Sequence, residues 1–181
     1  MVDRYGVVWR YKIDDQQYCS NKVDELLQPT SELPTHMAVQ DMFIAKNIDS
    51  RVLLHTHATE IIALTQIPQM RSKEALNRVV WGMHPENILF VPEGVGFLPF
   101  TLPGTEEIAR VTMREFESHQ AVIWEKHGIL SSGKNIPEAF DNIDLLVKSA
   151  KIWFQCRNAG HDPEGLSDAQ IEIIRKNLPS L

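Results

Sequence analysis

The stretch 51–57, with the sequence RVLLHTH, joins a short apolar run to two histidines that are separated by one residue. An apolar run of this length predicts a β-strand over 51–55. Residues i and i+2 of an extended segment point to the same side, so the imidazoles of His55 and His57 can converge on one point. Two convergent imidazoles supply part of the ligand set that a divalent metal needs.

A third histidine, His127, follows a second apolar run, AVIW at 121–124, and precedes Gly128, which lets the backbone turn sharply. If the two apolar strands lie side by side, we expect His127 to meet the pair. Three imidazoles with one open position are typical of a catalytic zinc site. Alone, an H-x-H pair is a weak indication of metal binding, and a histidine before glycine is often only a turn residue.

The same kind of pattern predicts the other elements of the chain. Apolar runs rich in β-branched and aromatic residues predict further strands over 5–13, 87–91 and 121–124, with 128–131 as a partner of the last. Apolar residues at helical spacing predict helices over 31–46, 56–66, 72–83, 105–119, 136–158 and 167–177. We expect 14–29 to be irregular and 92–104, dense in proline and glycine, to be a loop with a short strand.

Strands and helices therefore mix along the chain without strict alternation. The connections over 92–104 and around His127 resemble antiparallel turns more than helical crossovers. We predict one domain of the α/β class over 1–181, with three layers in which helices cover both faces of a central, mostly antiparallel sheet.

Composition excludes several classes of protein. The chain has 181 residues and a net charge of -6, which argues against nucleic acid as a partner. No apolar run approaches the roughly 20 residues that span a bilayer, and the first residues do not have the pattern of a signal peptide. The two cysteines, Cys19 and Cys156, are too few for a disulfide scaffold or a thiolate zinc finger. A reducing, cytoplasmic location is the simplest expectation.

Two carboxylates accompany the histidines as candidates for proton transfer. Glu32 lies at the start of a predicted helix, where positive backbone partial charge favours an ionised carboxylate. Glu86 follows Pro85 directly before the predicted strand at 87–91. Taken alone, Glu32 fits a residue that only balances the helix dipole, and Glu86 fits an ordinary loop carboxylate.

Together these segments resemble the class II aldolase and adducin-like family, and most closely its rhamnulose-1-phosphate aldolase branch. The matching pieces, in order, are TSELPTH at 30–36, HTHAT at 55–59, IALT at 62–65, VPEGVG at 91–96, PGT at 103–105 and KHG at 126–128. Their order and spacing agree from about residue 24 to the C-terminus. The ordered set is a much more specific signal than the H-x-H pair by itself.

The resemblance implies a role for each candidate residue. Three residues correspond to the ligands of one zinc ion per subunit: His55, His57 and His127. Glu32 corresponds to the catalytic carboxylate, and Glu86 to a second catalytic carboxylate that acts in the site of a neighbouring subunit. Ser31 corresponds to a contact for the phosphate of the substrate. The family further implies a homotetramer with active sites between subunits.

The activity that the resemblance implies is reversible cleavage of L-rhamnulose 1-phosphate to dihydroxyacetone phosphate and L-lactaldehyde. Zinc would stabilise the negative charge of the enediolate as a Lewis acid, and Glu32 would move the proton at the nascent carbanion. Two alternatives remain open from the sequence: another sugar-phosphate enzyme of the superfamily, such as a fuculose-phosphate aldolase or a pentose-phosphate 4-epimerase, or a non-catalytic module like the adducin head.

The resemblance covers the C-terminal two-thirds of the family fold. Family members carry a preceding segment whose glycine-rich and serine-rich loops hold the substrate phosphate, and nothing in this sequence matches those loops. We therefore expect a chain that binds zinc but cleaves the substrate weakly, and whose activity is restored by adding such a segment.

Overall fold

A computed structural model describes residues 9–14, 17–22 and 30–177 of the chain. The strands are β1 (Trp9–Asp14), β2 (Gln17–Lys22), β3 (Val52–Thr56), β4 (Val95–Leu98), β5 (Ala121–Trp124) and β6 (Gly128–Gly133). The α-helices are α1 (Leu33–Ala45), α2 (Thr59–Gln66), α3 (Lys73–Leu76), α4 (Pro85–Phe90), α5 (Glu106–Glu115), α6 (Ile136–Asn158) and α7 (Asp168–Asn177). A π-helical turn at Asn77–Trp81 continues α3. Across the described ranges, no helix is both long and apolar enough to cross a bilayer.

The central sheet has four strands in the order β3-β6-β5-β4. Strand β6 is antiparallel to both β3 and β5, whereas β4 is parallel to β5. Two of the three pairings are thus antiparallel, which confirms the predicted character of the sheet. Strands β1 and β2 form a separate two-stranded antiparallel sheet.

Helices cover both faces of the four-stranded sheet, because its strands are apolar on both sides. In β5, Ala121 and Ile123 pack with α2, α3 and α6, whereas Val122 and Trp124 pack with α1 and α5. Each face therefore has its own hydrophobic core. This arrangement confirms the predicted three-layer α/β fold.

The predicted strand at 87–91 is wrong, because this segment lies in helix α4 (Pro85–Phe90). A short apolar run does not distinguish a strand from a buried helical turn. Pro85 occupies the first helical turn, where its missing N–H group costs nothing. The buried Asn87 side chain then fixes the helix by donating to the Val80 carbonyl at 2.9 Å and to Ser149 Oγ at 2.7 Å.

The expectation that 14–29 is irregular is wrong over part of its length. Strand β2 (Gln17–Lys22) pairs in register with β1, so a hairpin forms where the polar composition indicated none. Of the predicted first strand, residues 9–13 are confirmed, and residues 5–8 lie outside the described part of the chain. Cross-strand pairing stabilises polar strands that composition alone does not reveal.

A close approach between β3 and the start of β6 depends on Gly128. A Cβ atom at this position would lie 2.5 Å from the Thr56 carbonyl oxygen and 3.3 Å from His55 Cε1. Both neighbours belong to β3, and a backbone oxygen cannot move aside without shifting the strand. Glycine therefore allows the turn that precedes β6 to lie against the end of β3.

We expect Gly128→Ala to lower the free energy of unfolding by about 1–3 kcal/mol, because the added methyl group forces β3 and β6 apart. Urea denaturation followed by circular dichroism measures the change. Ser131→Ala is the matched control, since Ser131 is buried on the same strand and its hydroxyl makes only one 3.5 Å contact. Equal stability of the two variants would contradict the close approach.

Candidate metal centre

The three candidate histidines come from two neighbouring parts of the sheet. His55 lies in β3, His57 directly follows that strand, and His127 lies in the turn between β5 and β6. Strands β3 and β5 do not lie side by side, because β6 lies between them. The histidines still meet, since β6 is antiparallel to β3 and its first residue therefore lies beside the last residues of β3.

The side chains of His55, His57 and His127 form one compact group. One ring nitrogen from each lies within 4.8 Å of the others. The Nε2 atoms of His57 and His127 are 3.1 Å apart, and the ring centroids of the three pairs lie between 4.9 and 5.1 Å. Over the described residues, no second group of three histidine, cysteine, aspartate or glutamate side chains comes this close.

The protonation of His55 is fixed by the backbone of β6. Its Nδ1 atom lies 3.2 Å from the Ile129 carbonyl oxygen. A carbonyl oxygen only accepts hydrogen bonds, so Nδ1 must carry the proton and Nε2 must keep its lone pair. This buried Nε2 atom has no hydrogen-bond partner among the described residues.

The arrangement fits a divalent metal of the zinc type. Four-coordinate zinc binds imidazole nitrogen at about 2.0–2.1 Å, which places two ligand nitrogens roughly 3.3 Å apart. The 3.1 Å separation between the Nε2 atoms of His57 and His127 is close to that value. A metal would also engage the lone pair of His55 Nε2, which otherwise stays buried and unpaired.

Burial and mutual repulsion disfavour the charged form of two of the three imidazoles. Burial, followed by the neighbouring rings of His127 and His57, lowers the pKa of His55 from 6.5 to about 4. Burial also lowers the pKa of His127, although the nearby Glu32 carboxylate opposes this effect. Neutral imidazole is the form that binds a metal, so both lowered pKa values favour metal binding.

Glu32 lies beside the cluster, at the residue before helix α1. Its carboxylate makes no capping hydrogen bond to the helix. Instead, Oε1 lies 4.0 Å from His127 Nε2, and the side chain is 8% exposed. The other oxygen, Oε2, is buried and has no hydrogen-bond partner in the described part of the chain. A buried carboxylate that is left unpaired in this way is available for proton transfer.

Trp124 closes the inner side of the cluster. Its ring centroid lies 5.1 Å from that of His55 and 5.0 Å from that of His127. The indole N–H group donates to Thr112 Oγ1 at 3.0 Å, which holds the ring in place. Sequence reasoning assigned Trp124 only to a strand, and the apolar run gave no signal that its ring would border the histidines.

Ser31 lies next to Glu32 and is exposed. The segment that contains Gly104 packs against it, since a Cβ atom on Gly104 would lie 3.1 Å from the Ser31 carbonyl oxygen. Gly104 has a positive φ of 75°, a conformation that favours glycine. Two motifs that are far apart in sequence, at 30–36 and 103–105, thus meet near the cluster.

Glu86 is not among the residues that the structure gathers around the histidines. It lies on α4, is exposed, and has its ionic contacts with His84 Nδ1 at 3.6 Å and Lys148 Nζ at 3.8 Å. Both partners lie outside the histidine cluster. The expectation that Glu86 acts in the site of a neighbouring subunit remains a prediction.

The chain is similar to proteins of one family. The sequence profile described as Class II Aldolase and Adducin N-terminal domain matches residues 9–154. The rhamnulose-1-phosphate aldolase of Bacteroides thetaiotaomicron is 38% identical over 158 residues, an alignment that covers 86% of this chain and 59% of that protein. The rhamnulose-1-phosphate aldolase of Listeria monocytogenes is 32% identical over 146 residues, covering 81% of this chain and 53% of that protein.

A solved structure shows the same fold. The crystal structure of a sugar-phosphate aldolase from Thermotoga maritima superposes with a TM-score of 0.67 at 31% sequence identity. The superposition covers 76% of this chain and 58% of that one. The chain thus spans less than two-thirds of the length of each of these three proteins.

The lowered pKa of His55 makes the stability of the metal-free protein depend on pH. Between pH 6.5 and about 4, the unfolded chain binds a proton at His55 that the folded chain does not. The free energy of unfolding should therefore fall as the pH is lowered through this window, and it should be fully retained above it. His36 and His127, whose pKa values burial also lowers, act in the same direction.

His55→Asn isolates the contribution of His55, because the asparagine amide can still donate to the Ile129 carbonyl. Urea denaturation at about pH 7.5 and about pH 4.5, with a chelator present, measures how far the free energy of unfolding falls between the two pH values in both proteins. We expect the fall to be smaller in the variant by roughly 2 kcal/mol, a figure discounted for the partial solvent contact of the ring. An equal fall in both proteins would show that His55 already titrates normally.

Proposed function

The chain belongs to the class II aldolase and adducin family, and from this membership we propose that it is a zinc-dependent aldolase acting on a ketose 1-phosphate. The proposed reaction is reversible cleavage of L-rhamnulose 1-phosphate to dihydroxyacetone phosphate and L-lactaldehyde. One observation carries the proposal: three imidazoles converge on one point, with the Glu32 carboxylate 4.0 Å from one of them. A non-catalytic module would have no need to bury this costly set of groups.

In the proposed site, His55, His57 and His127 are the residues that would hold a zinc ion. A zinc ion bound there would supply a Lewis acid for the negative charge that develops on the substrate oxygen during cleavage. The Ile129 carbonyl keeps the His55 lone pair directed inward, and Trp124 excludes water from the inner side of the cluster.

Glu32 is the proposed acid and base of the reaction. Cleavage breaks the bond between carbons 3 and 4: the hydroxyl group on carbon 4 gives its proton to the Glu32 carboxylate and becomes the aldehyde carbonyl, while the bonding electrons pass to carbon 3 and the adjacent carbonyl group. Glu32 then delivers a proton to carbon 3, and in the reverse direction it removes that proton. Its carboxylate is free for this step, because it neither caps α1 nor pairs with a described cation.

Ser31 and Glu86 complete the proposal. Ser31 is exposed beside Glu32, where its hydroxyl can contact the substrate phosphate. Glu86 is exposed on α4, on a part of the surface that another subunit can reach, and we propose that it serves the site of a neighbouring copy in a homotetramer. A small sugar phosphate is thus the proposed ligand, and a second copy of the chain is the proposed partner.

We expect the purified chain to bind one Zn²⁺ or Co²⁺ ion. At a free metal concentration about 100 times the dissociation constant, binding should raise the free energy of unfolding by about 2.7 kcal/mol. His57→Ala should abolish both the visible cobalt spectrum and the stabilisation. His161→Ala is the control, since His161 is exposed in the loop after α6. Equal cobalt binding by the two variants would rule out the histidine site.

We expect the Glu32→Gln variant to bind the metal as the original protein does and to lose most of its proton-transfer activity. The variant has nearly the same shape as the original side chain but cannot accept a proton, so proton transfer should slow by about 10²- to 10⁴-fold. The exchange of a carbon-bound hydrogen of dihydroxyacetone phosphate for solvent deuterium, followed by NMR, measures this step without requiring complete cleavage. Metal content by mass spectrometry should be unchanged.

Glu117→Gln is the control for this experiment, because Glu117 is exposed and, among the residues that the structure describes, forms an ion pair only with Lys46. The same zinc-loaded protein is then offered L-rhamnulose 1-phosphate, L-fuculose 1-phosphate and a pentulose 5-phosphate, with aldehyde formation or epimerisation as the signal. Undiminished exchange by the Glu32 variant would remove the role assigned to this residue. Preferential turnover of either of the other substrates would reassign the enzyme within the family.

A further inference from the structure

The turn that carries His127 has an unfavourable backbone conformation. Lys126, the residue before His127, has a positive φ of 60°, which a residue with a long side chain rarely adopts. Within the turn, the His127 N–H group donates to the Trp124 carbonyl at 3.1 Å. Something outside the turn must therefore stabilise this conformation.

Thr65, near the end of α2, contacts the turn directly. Its Oγ1 atom accepts a hydrogen bond from the Lys126 backbone N–H group at 2.8 Å. The same hydroxyl donates to the Ile62 carbonyl at 2.9 Å, which fixes its rotamer and directs a lone pair at Lys126. Thr65 is fully buried whereas Lys126 is exposed, so the bond ties a surface turn to the interior of the fold.

A second set of contacts holds the turn against the same end of α2. The Arg71 Nε group donates to the Thr65 carbonyl at 3.1 Å and lies 3.3 Å from a carboxylate oxygen of Glu125, the first residue of the turn. The other Glu125 oxygen accepts from the Phe100 N–H group at 2.9 Å. The residue before Lys126 is therefore also tied to fixed parts of the fold, through its side chain.

Helix α2 connects the contacts made by Thr65 and Arg71 to the other two histidines. It begins at Thr59, two residues after His57, and ends at Gln66, next to Thr65. One short helix thus follows the His55 and His57 pair at its start and holds the turn of His127 near its end. A rigid helix of this kind fixes the separation between the two sets of imidazoles.

We propose that Thr65 is a positioning residue for the histidine cluster, acting through the Lys126 backbone on the direction of the His127 ring. Without this hydroxyl, the Lys126 N–H group loses its partner on α2, and the turn relaxes to a conformation that moves His127 away from His57. This inference rests on the proposed function, because it concerns the metal affinity of the same cluster.

Thr65→Val tests the inference, because it keeps the shape of the side chain and removes only the hydroxyl. We expect Co²⁺ affinity, measured by competition with a chromogenic chelator, to fall by about ten- to a hundredfold. The visible spectrum of the remaining cobalt complex should also change, since the coordination of the metal is altered. Thr65→Ser, which restores the hydroxyl, should return both the affinity and the spectrum to within about threefold of the original protein.

Ser149→Ala is the matched control. Ser149 is also fully buried and loses one hydrogen bond, the 2.7 Å bond from Asn87 Nδ2, but it lies on α6 away from the turn. We expect this variant to lower the melting temperature about as much as Thr65→Val while leaving Co²⁺ affinity unchanged. A general loss of stability would weaken metal binding in both variants, and that result would overturn the inference.

The outcomes separate this inference from the proposed function. If the original protein binds Co²⁺ through the histidines and Thr65→Val binds it equally well with the same spectrum, only the positioning role is wrong. If the original protein binds no Co²⁺, both proposals fall. If Thr65→Val does not fold, Arg71→Met is the second variant, because Arg71 lies at the surface and contacts both Thr65 and Glu125. A several-fold loss of Co²⁺ affinity in this variant would support the positioning role of these contacts. Unchanged Co²⁺ affinity would overturn it.

Discussion

The pairing of β6 with β3 on one side and β5 on the other is the constraint on which the candidate site depends. Because β6 runs antiparallel to both neighbours, the turn that opens it must lie at the end of β3. His55 and His127 are 72 positions apart in sequence, yet this geometry brings their rings to a 5.1 Å centroid separation. The same pairing supplies the Ile129 carbonyl that fixes the tautomer of His55. The sheet therefore sets both the position and the protonation of the imidazoles.

The site is unfavourable for folding, and the two cores that flank the sheet offset its cost. Several polar atoms in it, including His55 Nε2 and Glu32 Oε2, are buried without partners among the described residues. Such atoms cost roughly 1–3 kcal/mol each when nothing binds them. The strand ends that carry them are anchored by fully buried residues such as Ile123 and Leu130. A rigid sheet can thus hold groups that would otherwise move apart or take up water, which is the usual relation between a functional site and its scaffold.

Much of this arrangement could be predicted from the sequence, and the parts that could not have physical reasons. The long helix over 136–158 and the strand over 121–124 were predicted to the residue, because sustained periodicity and compact apolar runs are strong local signals. The convergence of the histidines followed from i, i+2 geometry, although β3 and β5 do not lie side by side. The strand predicted over 87–91 was wrong because this segment is a helix, which is fixed by a buried hydrogen bond from Asn87 to Ser149, 62 positions away. The hydrogen bond between Thr65 and Lys126 could not be predicted for the same reason, since the two residues are 61 positions apart.

The charge of the site is consistent with the kind of ligand proposed for it. The pKa of His55 is lowered to about 4, so this ring is neutral at pH 7, and the Glu32 carboxylate lies close to the group. The three imidazoles and the carboxylate present electron-rich nitrogen and oxygen atoms to one point, so the ligand that this group favours is a cation. An anionic sugar phosphate would need further positive charge nearby, and a divalent metal held by the histidines would supply it.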